Sequence, residues 1–147
     1  MGRRLAGWRA LGWGDRWRLL ACMAALPLLH ASLATLGYKR TRRVIEVLSR
    51  RPAPRTASPA DVAAAQRLAR LAAIAGRYGF VDATCLRQSL LLYCWLRRRG
   101  FNPQLQLGMK PDPQATFGAH AWVELDCQRL MPGDSGHRAF QRPGDTH

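Results

Sequence analysis

Residues 85–100 read CLRQSLLLYCWLRRRG and residues 118–126 read GAHAWVELD; these two stretches decide the fold. In the first, apolar residues recur at helical spacing. Leu86, Leu90, Tyr93 and Leu96 or Arg97 share one side of a helix predicted from about Cys85 to Arg99, with Thr84 or Asp82 as its cap. Three arginines fill the last turn, where cations suit the negative end of the helix dipole, and Gly100 closes it. The second stretch alternates as a strand does. Ala119, Ala121, Val123 and Leu125 face one way; His120, Trp122, Glu124 and Asp126 face the other.

Working outward, Gln104–Leu107 also alternates and predicts a partner strand, while Lys110–Thr116, with Pro111 and Pro113, reads as a loop. Residues 126–129 suit a hairpin turn, with Leu130-Met131 beginning a return strand and no further strand after it. Upstream, Ser58, Pro59 and Asp61 make a helix start resembling a capping box. The helix that follows carries Val62, Ala65, Leu68, Ala69, Ala72 and Ala75 on its apolar stripe, and Gly76 and Gly79 end it. Helices precede strands, so the expected class is α+β with a small antiparallel sheet. Pro52 and Pro54 mark a linker. The chain is accordingly divided into a basic, hydrophobic helical segment, 1–55, and a catalytic domain, 56–147.

The N-terminal segment holds Trp8, Trp13 and Trp17 among arginines, then the uncharged run Leu19–Tyr38, then a short helix over 41–50. The run has the ~20 residues a membrane span needs. A signal peptide also fits its basic start and small residues at 31–34. Pro27, His30 and the dilution of Leu by Ala, Ser, Thr and Gly favour a buried or interfacial helix, with peripheral membrane contact through residues 1–38 left open. The 147-residue chain carries 23 Lys+Arg against 9 Asp+Glu, net +14, and +10 of that lies in residues 1–55. Such a field attracts nucleic acid, anionic lipid or an acidic peptide without choosing among them. No nucleic-acid-binding motif accompanies it, so a nucleic-acid partner is not expected. The four cysteines form neither a CxxC pair nor a zinc-finger pattern, which predicts reduced thiols in the cytoplasm and no metal or other cofactor.

Cys85 is the cysteine placed for chemistry. At a helix N-terminus, unpaired amides and the dipole favour a thiolate and can hold an oxyanion. Cys94, in mid-helix, gains neither benefit. A thiolate attacking an amide needs a histidine to protonate the leaving amine and a third group to fix the imidazole. His120 is the one histidine on a predicted strand, flanked by alanines that leave room for its ring. Asp126, six residues along that strand, is roughly 20 Å away and cannot reach. Asp134 is preferred, with Asp145 a distant second. A three-residue loop at 127–129 would put Asp134 opposite Trp122 and diagonal to His120. A two-residue loop would pair His120 with Ser135 instead, leaving a bulge at Pro132-Gly133 to restore the aim.

At CLRQSL (85–90), LRRRGF (96–101), Leu107-Gly108 and AHAWVE (119–124), the chain resembles the transglutaminase-like leader peptidases of lasso-peptide biosynthesis, over about residues 60–135. The resemblance implies a papain-like cysteine-peptidase core with a Cys-His-Asp triad, here Cys85, His120 and Asp134. It implies removal of the leader from a ribosomally made precursor. A separate small leader-binding protein would present the leader, and an ATP-dependent synthetase would then close the macrolactam ring. Tyr78, Phe80 and Trp122 lie near enough to the triad to be candidates for the leader groove. Where the family commonly has a glycine after the HAWVE strand, this chain has Cys127. Competing readings are another acyl transferase or amidase on the same fold, a catalytically inactive scaffold, a nucleic-acid binder and a plain membrane protein.

Overall fold

The computed structural model describes residues 12–50, 55–78, 84–109, 119–130 and 138–139. Helix α1 spans Trp13–Leu48, α2 Pro59–Tyr78 and α3 Cys85–Arg98; strands β1 Gln104–Met109, β2 Ala119–Leu125, β3 Gln128–Arg129 and β4 Arg138–Ala139 follow. The strands form one antiparallel sheet in the order β3-β2-β1-β4. This is the expected α+β arrangement, with the cysteine-bearing helix packed on a small sheet.

Residues 41–50, expected as a separate short helix, belong to α1, which is interrupted only at Gly37. Gly37 has φ 73° and ψ 172°, a conformation that side chains disfavour, so the helix bends there into two arms. Leu28, Leu29, Ser32 and Leu36 of the first arm face Thr41, Val44, Ile45 and Leu48 of the second across an apolar groove of about 220 Å³. The inner edge of the first arm buries Leu19, Cys22 and Leu26 against the Ala65, Leu68, Ala69, Ala72 and Ala75 side of α2. Alanines there let the helix backbones approach closely. Asp15, nearly buried, pins the start of α1 to α2 through Arg67 at 3.0 Å and also holds Arg18 at 3.1 Å. The second arm is fastened to α3 by polar contacts. Tyr93 donates to Glu46 at 3.3 Å and Arg97 to Ser49 at 3.0 Å, while Arg42 pairs with Glu46 at 2.9 Å. Burial opposes the Arg42 charge, but the bonds to Glu46 and Tyr38 outweigh it and raise its pKa. The stretches on either side of residue 55 thus share one core.

The capping box forms as the sequence indicates. Ser58 N–H donates to Asp61 at 3.0 Å and Asp61 N–H to Ser58 Oγ at 3.2 Å. The Ser58 hydroxyl, donating to the Asp61 carboxylate at 2.7 Å, and the Ser58 N–H hold that carboxyl below its usual range. Helix α2 runs through Gly76 to Tyr78, because Gly76 is buried in the helix interface rather than placed at a terminus. Helix α3 buries one broad side, Ser89, Leu90, Leu92, Tyr93 and Leu96, and half-buries most of its other residues, because α1, α2 and the sheet each cover part of it. Each buried leucine contributes roughly 1.5–3 kcal/mol. Gly100, at φ 87°, ends it in the left-handed conformation.

The hairpin after β2 differs from both loops considered from sequence. Its loop is Asp126–Cys127, and Leu125 pairs with Gln128 and Glu124 with Arg129. Both loop residues have positive φ, 49° and 62°, as a type I′ turn requires. Cys127, at φ 62°, thus holds a left-handed conformation that ordinarily favours glycine. The return strand starts two residues earlier than expected, at Gln128, and β4 adds a strand where none is expected, pairing Ala139 with Gly108. Asp126 is structural, since its carboxylate accepts the Ala57 N–H at 3.2 Å.

Candidate active site

Cys85 is the first residue of α3, after Thr84 with φ −61° and ψ 159°. Thr84, one of two expected caps, holds the cap position but its side chain makes no capping bond; Asp82 lies outside the described residues. The Thr84 carbonyl accepts from the Arg87 and Gln88 amides at 3.0 and 3.2 Å. No carboxylate occupies the first turn of α3.

The four cysteines sort by environment, and no disulfide joins them. Burial pushes the Cys22 thiol from 9.0 up to about 11. Burial also raises Cys94, against the opposing pull of Arg98 and Arg97. Both favour the neutral thiol, which is a poor nucleophile. Cys127 is exposed on the hairpin turn, and Cys85 is half-buried at the helix start.

His120 is half-buried on β2, and the residue across from it on β1 is Gly108, which places no side chain beside the imidazole. Two positions along the same face, Trp122 stacks on His120 with ring centroids 6.2 Å apart and planes 25° from parallel. Trp122 is held in turn: its Nε1–H donates to Glu124 Oε1 at 2.8 Å, and the Arg129 guanidinium lies 4.0 Å from its ring centre. Trp122 is 3% exposed and packs against His120.

The helix carrying Cys85 and the strand carrying His120 are joined by a buried bond. Ser89, fully buried one helical turn beyond Cys85, donates its hydroxyl to the Ala121 carbonyl at 3.0 Å. Carbonyls two apart on a strand point to the same edge. Val123, two residues on, uses that edge to accept from Leu130 N–H at 3.0 Å. The hydroxyl therefore bonds β2 on that same edge, two residues before Val123, and the two chemical groups are anchored from adjoining positions. Ser89 and Gly108 are the site residues whose roles sequence reasoning missed. A lone serine in a leucine-rich helix, at i+4 from the cysteine, is the signal for the first.

That junction sets the cysteine helix against the histidine strand, and the model of the transglutaminase-like superfamily matches residues 28–143. The chain belongs to this superfamily. Its activity is of the papain-like cysteine-peptidase or acyl-transferase type. No curated protein and no solved structure gives a significant match. The match begins within the first arm of α1, so this superfamily domain takes in residues that precede the linker. Asp134 and Phe80 lie outside the described residues, as does the Tyr78 side chain; Tyr78 itself closes α2. The register seen over Gln128–Arg129 is neither of the two considered for Asp134 from sequence. Among the described residues, no group of three or more His, Cys, Asp or Glu is arranged to hold a metal.

Proposed function

We propose that the protein is a cysteine peptidase that removes the leader from a lasso-peptide precursor before macrolactam formation. The observation that carries the catalytic reading is the Ser89–Ala121 bond, which ties the Cys85 helix to the His120 strand in a transglutaminase-like domain. The finer reading rests on the resemblance at CLRQSL, LRRRGF and AHAWVE.

In the proposed reaction the Cys85 thiolate adds to the scissile carbonyl, and the first-turn amides of α3 stabilise the oxyanion. His120 gives its proton to the departing amine as the C–N bond breaks, leaving a thioester on Cys85. It then takes a proton from water, which attacks the thioester and releases the leader carboxylate and the free thiol. Asp134 orients the imidazole and Trp122 braces it. Tyr78 and Phe80 contribute to the leader groove. No cofactor is required. The leader reaches the site with a separate leader-binding protein, in the cytoplasm, and the trimmed core passes to the ATP-dependent synthetase.

The test is mass spectrometry of a lasso precursor incubated with the cognate leader-binding protein and either wild type or Cys85→Ala. A single cut between leader and core, absent with the variant, is expected. A precursor left intact by well-folded wild type would overturn the peptidase reading. Transfer of the acyl group to an added amine, in place of hydrolysis, would assign an acyl transferase.

A further inference from the structure

The first arm of α1 has two apolar sides, and the core uses one. Leu19, Cys22 and Leu26 face α2. On the opposite side Trp13, Trp17, Leu20, Ala24, Leu28, Ala31 and Thr35 are all exposed. At 100° per residue these seven fall within an arc of about 80°, and they extend for about 33 Å along the helix axis. The exposure is large where the side chains are large: Trp13 is 72% exposed, Trp17 61% and Leu28 70%. Leu28 also borders the groove to the second arm, where Val44 and Leu48 continue the apolar surface. No charged residue interrupts the stretch from 19 to 38. Immediately beyond it come Lys39, Arg40 and Arg43, all exposed, and none forms an ion pair among the described residues.

We infer that α1 docks the protein flat on an anionic lipid bilayer, with the Trp13–Thr35 stripe in the headgroup–acyl boundary and Lys39, Arg40 and Arg43 on the lipid phosphates. A Trp- and Leu-bearing face flanked by cations is what an interfacial helix needs, since the apolar side chains leave water while the cations meet negative headgroups. By length and composition α1 could cross a membrane. A crossing helix, however, is lipid-exposed or helix-covered over its full depth. Here the inner side of the first arm is committed to the soluble core, and Asp15 is held by Arg67 of α2. One face can enter lipid while the other stays packed, which fixes an in-plane orientation. The inference stands apart from the peptidase reading and would hold for any enzyme on this scaffold.

Flotation with phosphatidylcholine vesicles, with and without phosphatidylglycerol, tests it on the full chain. Wild type is expected to float with the anionic vesicles and to be released by salt. Leu20→Glu/Leu28→Glu should weaken binding at least tenfold. Lys39→Gln/Arg40→Gln/Arg43→Gln should weaken it about a hundredfold and flatten its salt dependence. All of these side chains lie on the surface, so unchanged circular dichroism is the folding control. Folded wild type that ignores anionic vesicles at low salt would overturn the inference. So would binding that survives both variants, or a dimer sealed through the stripe that vesicles do not dissociate.

Discussion

Helix α3 and the first arm of α1 are both rich in leucine, yet the fold treats them in opposite ways. In α3 the leucines at 90, 92 and 96 are wholly enclosed, and polar Ser89 is enclosed with them because it has a carbonyl to bond. In α1 one strip is enclosed and the facing strip lies in water. Apolar content alone does not tell the two apart. What separates them is how many neighbours surround each helix: α1, α2 and the sheet cover α3, whereas α1 lies at the edge of the molecule. The enclosed helix can hold a reactive group in a fixed place. The edge helix is free to meet something else.

The contrast is sharpest in paired truncations. Leu90→Ala should lower unfolding free energy by about 2–5 kcal/mol in urea titration, whereas Leu28→Ala should stay within about 0.5 kcal/mol. Equal losses would mean that the outer face of α1 is part of the core after all. The inner face of α1 can be probed by pH. With the Cys22 pKa raised from 9.0 to about 11, its neutral thiol contributes fully below pH 9.0. The unfolded chain ionises first above that, so the contribution fades as pH climbs through about 11. Relative to Cys22→Ala, wild type should lose on the order of 2 kcal/mol across that window; parallel pH profiles would place Cys22 in contact with water.

Gly37→Ala tests the bend that gives α1 two arms. No atom within 4 Å would meet the new methyl, so the cost is backbone conformation alone, about 1–3 kcal/mol. A variant as stable as wild type would show that the arms tolerate another geometry. Smallest is Ser89→Ala, which leaves the Ala121 carbonyl without its hydroxyl partner, at about 1 kcal/mol. Its informative readout is activity: turnover should fall more than stability does, with Ser89→Thr restoring part of it. Unchanged turnover would deprive the helix–strand bond of its place in the site.

Signals confined to neighbouring residues were legible in the sequence. Ser58 and Asp61 announced their box, the arginines before Gly100 announced a helix end, and the alternation around His120 announced a strand. The hairpin register was not legible, because a type I′ turn is normally marked by Asn or Asp followed by Gly, and here Cys127 accepts positive φ without being glycine. Strand β4 was hidden by its brevity, two residues paired to β1. At the site, Cys85 and His120 were singled out by the chemistry of their positions, a helix start and a strand, and those are the positions they hold. Ser89 stood out only as a lone serine in a leucine-rich helix, and its role was passed over because its partner lies 32 residues away.

The bond from Ala57 to Asp126 spans 69 residues, against 51 for the Arg97–Glu46 bond between helices. Closing so long a loop costs conformational entropy before any contact rewards it, whereas α2 and α3 form from near neighbours. The hairpin turn should therefore latch onto the start of α2 late in folding. Until it does, the far end of the strand bearing His120 is held by its sheet neighbours alone, and a chain stalled at that point would hold its thiol in place with its base less firmly set.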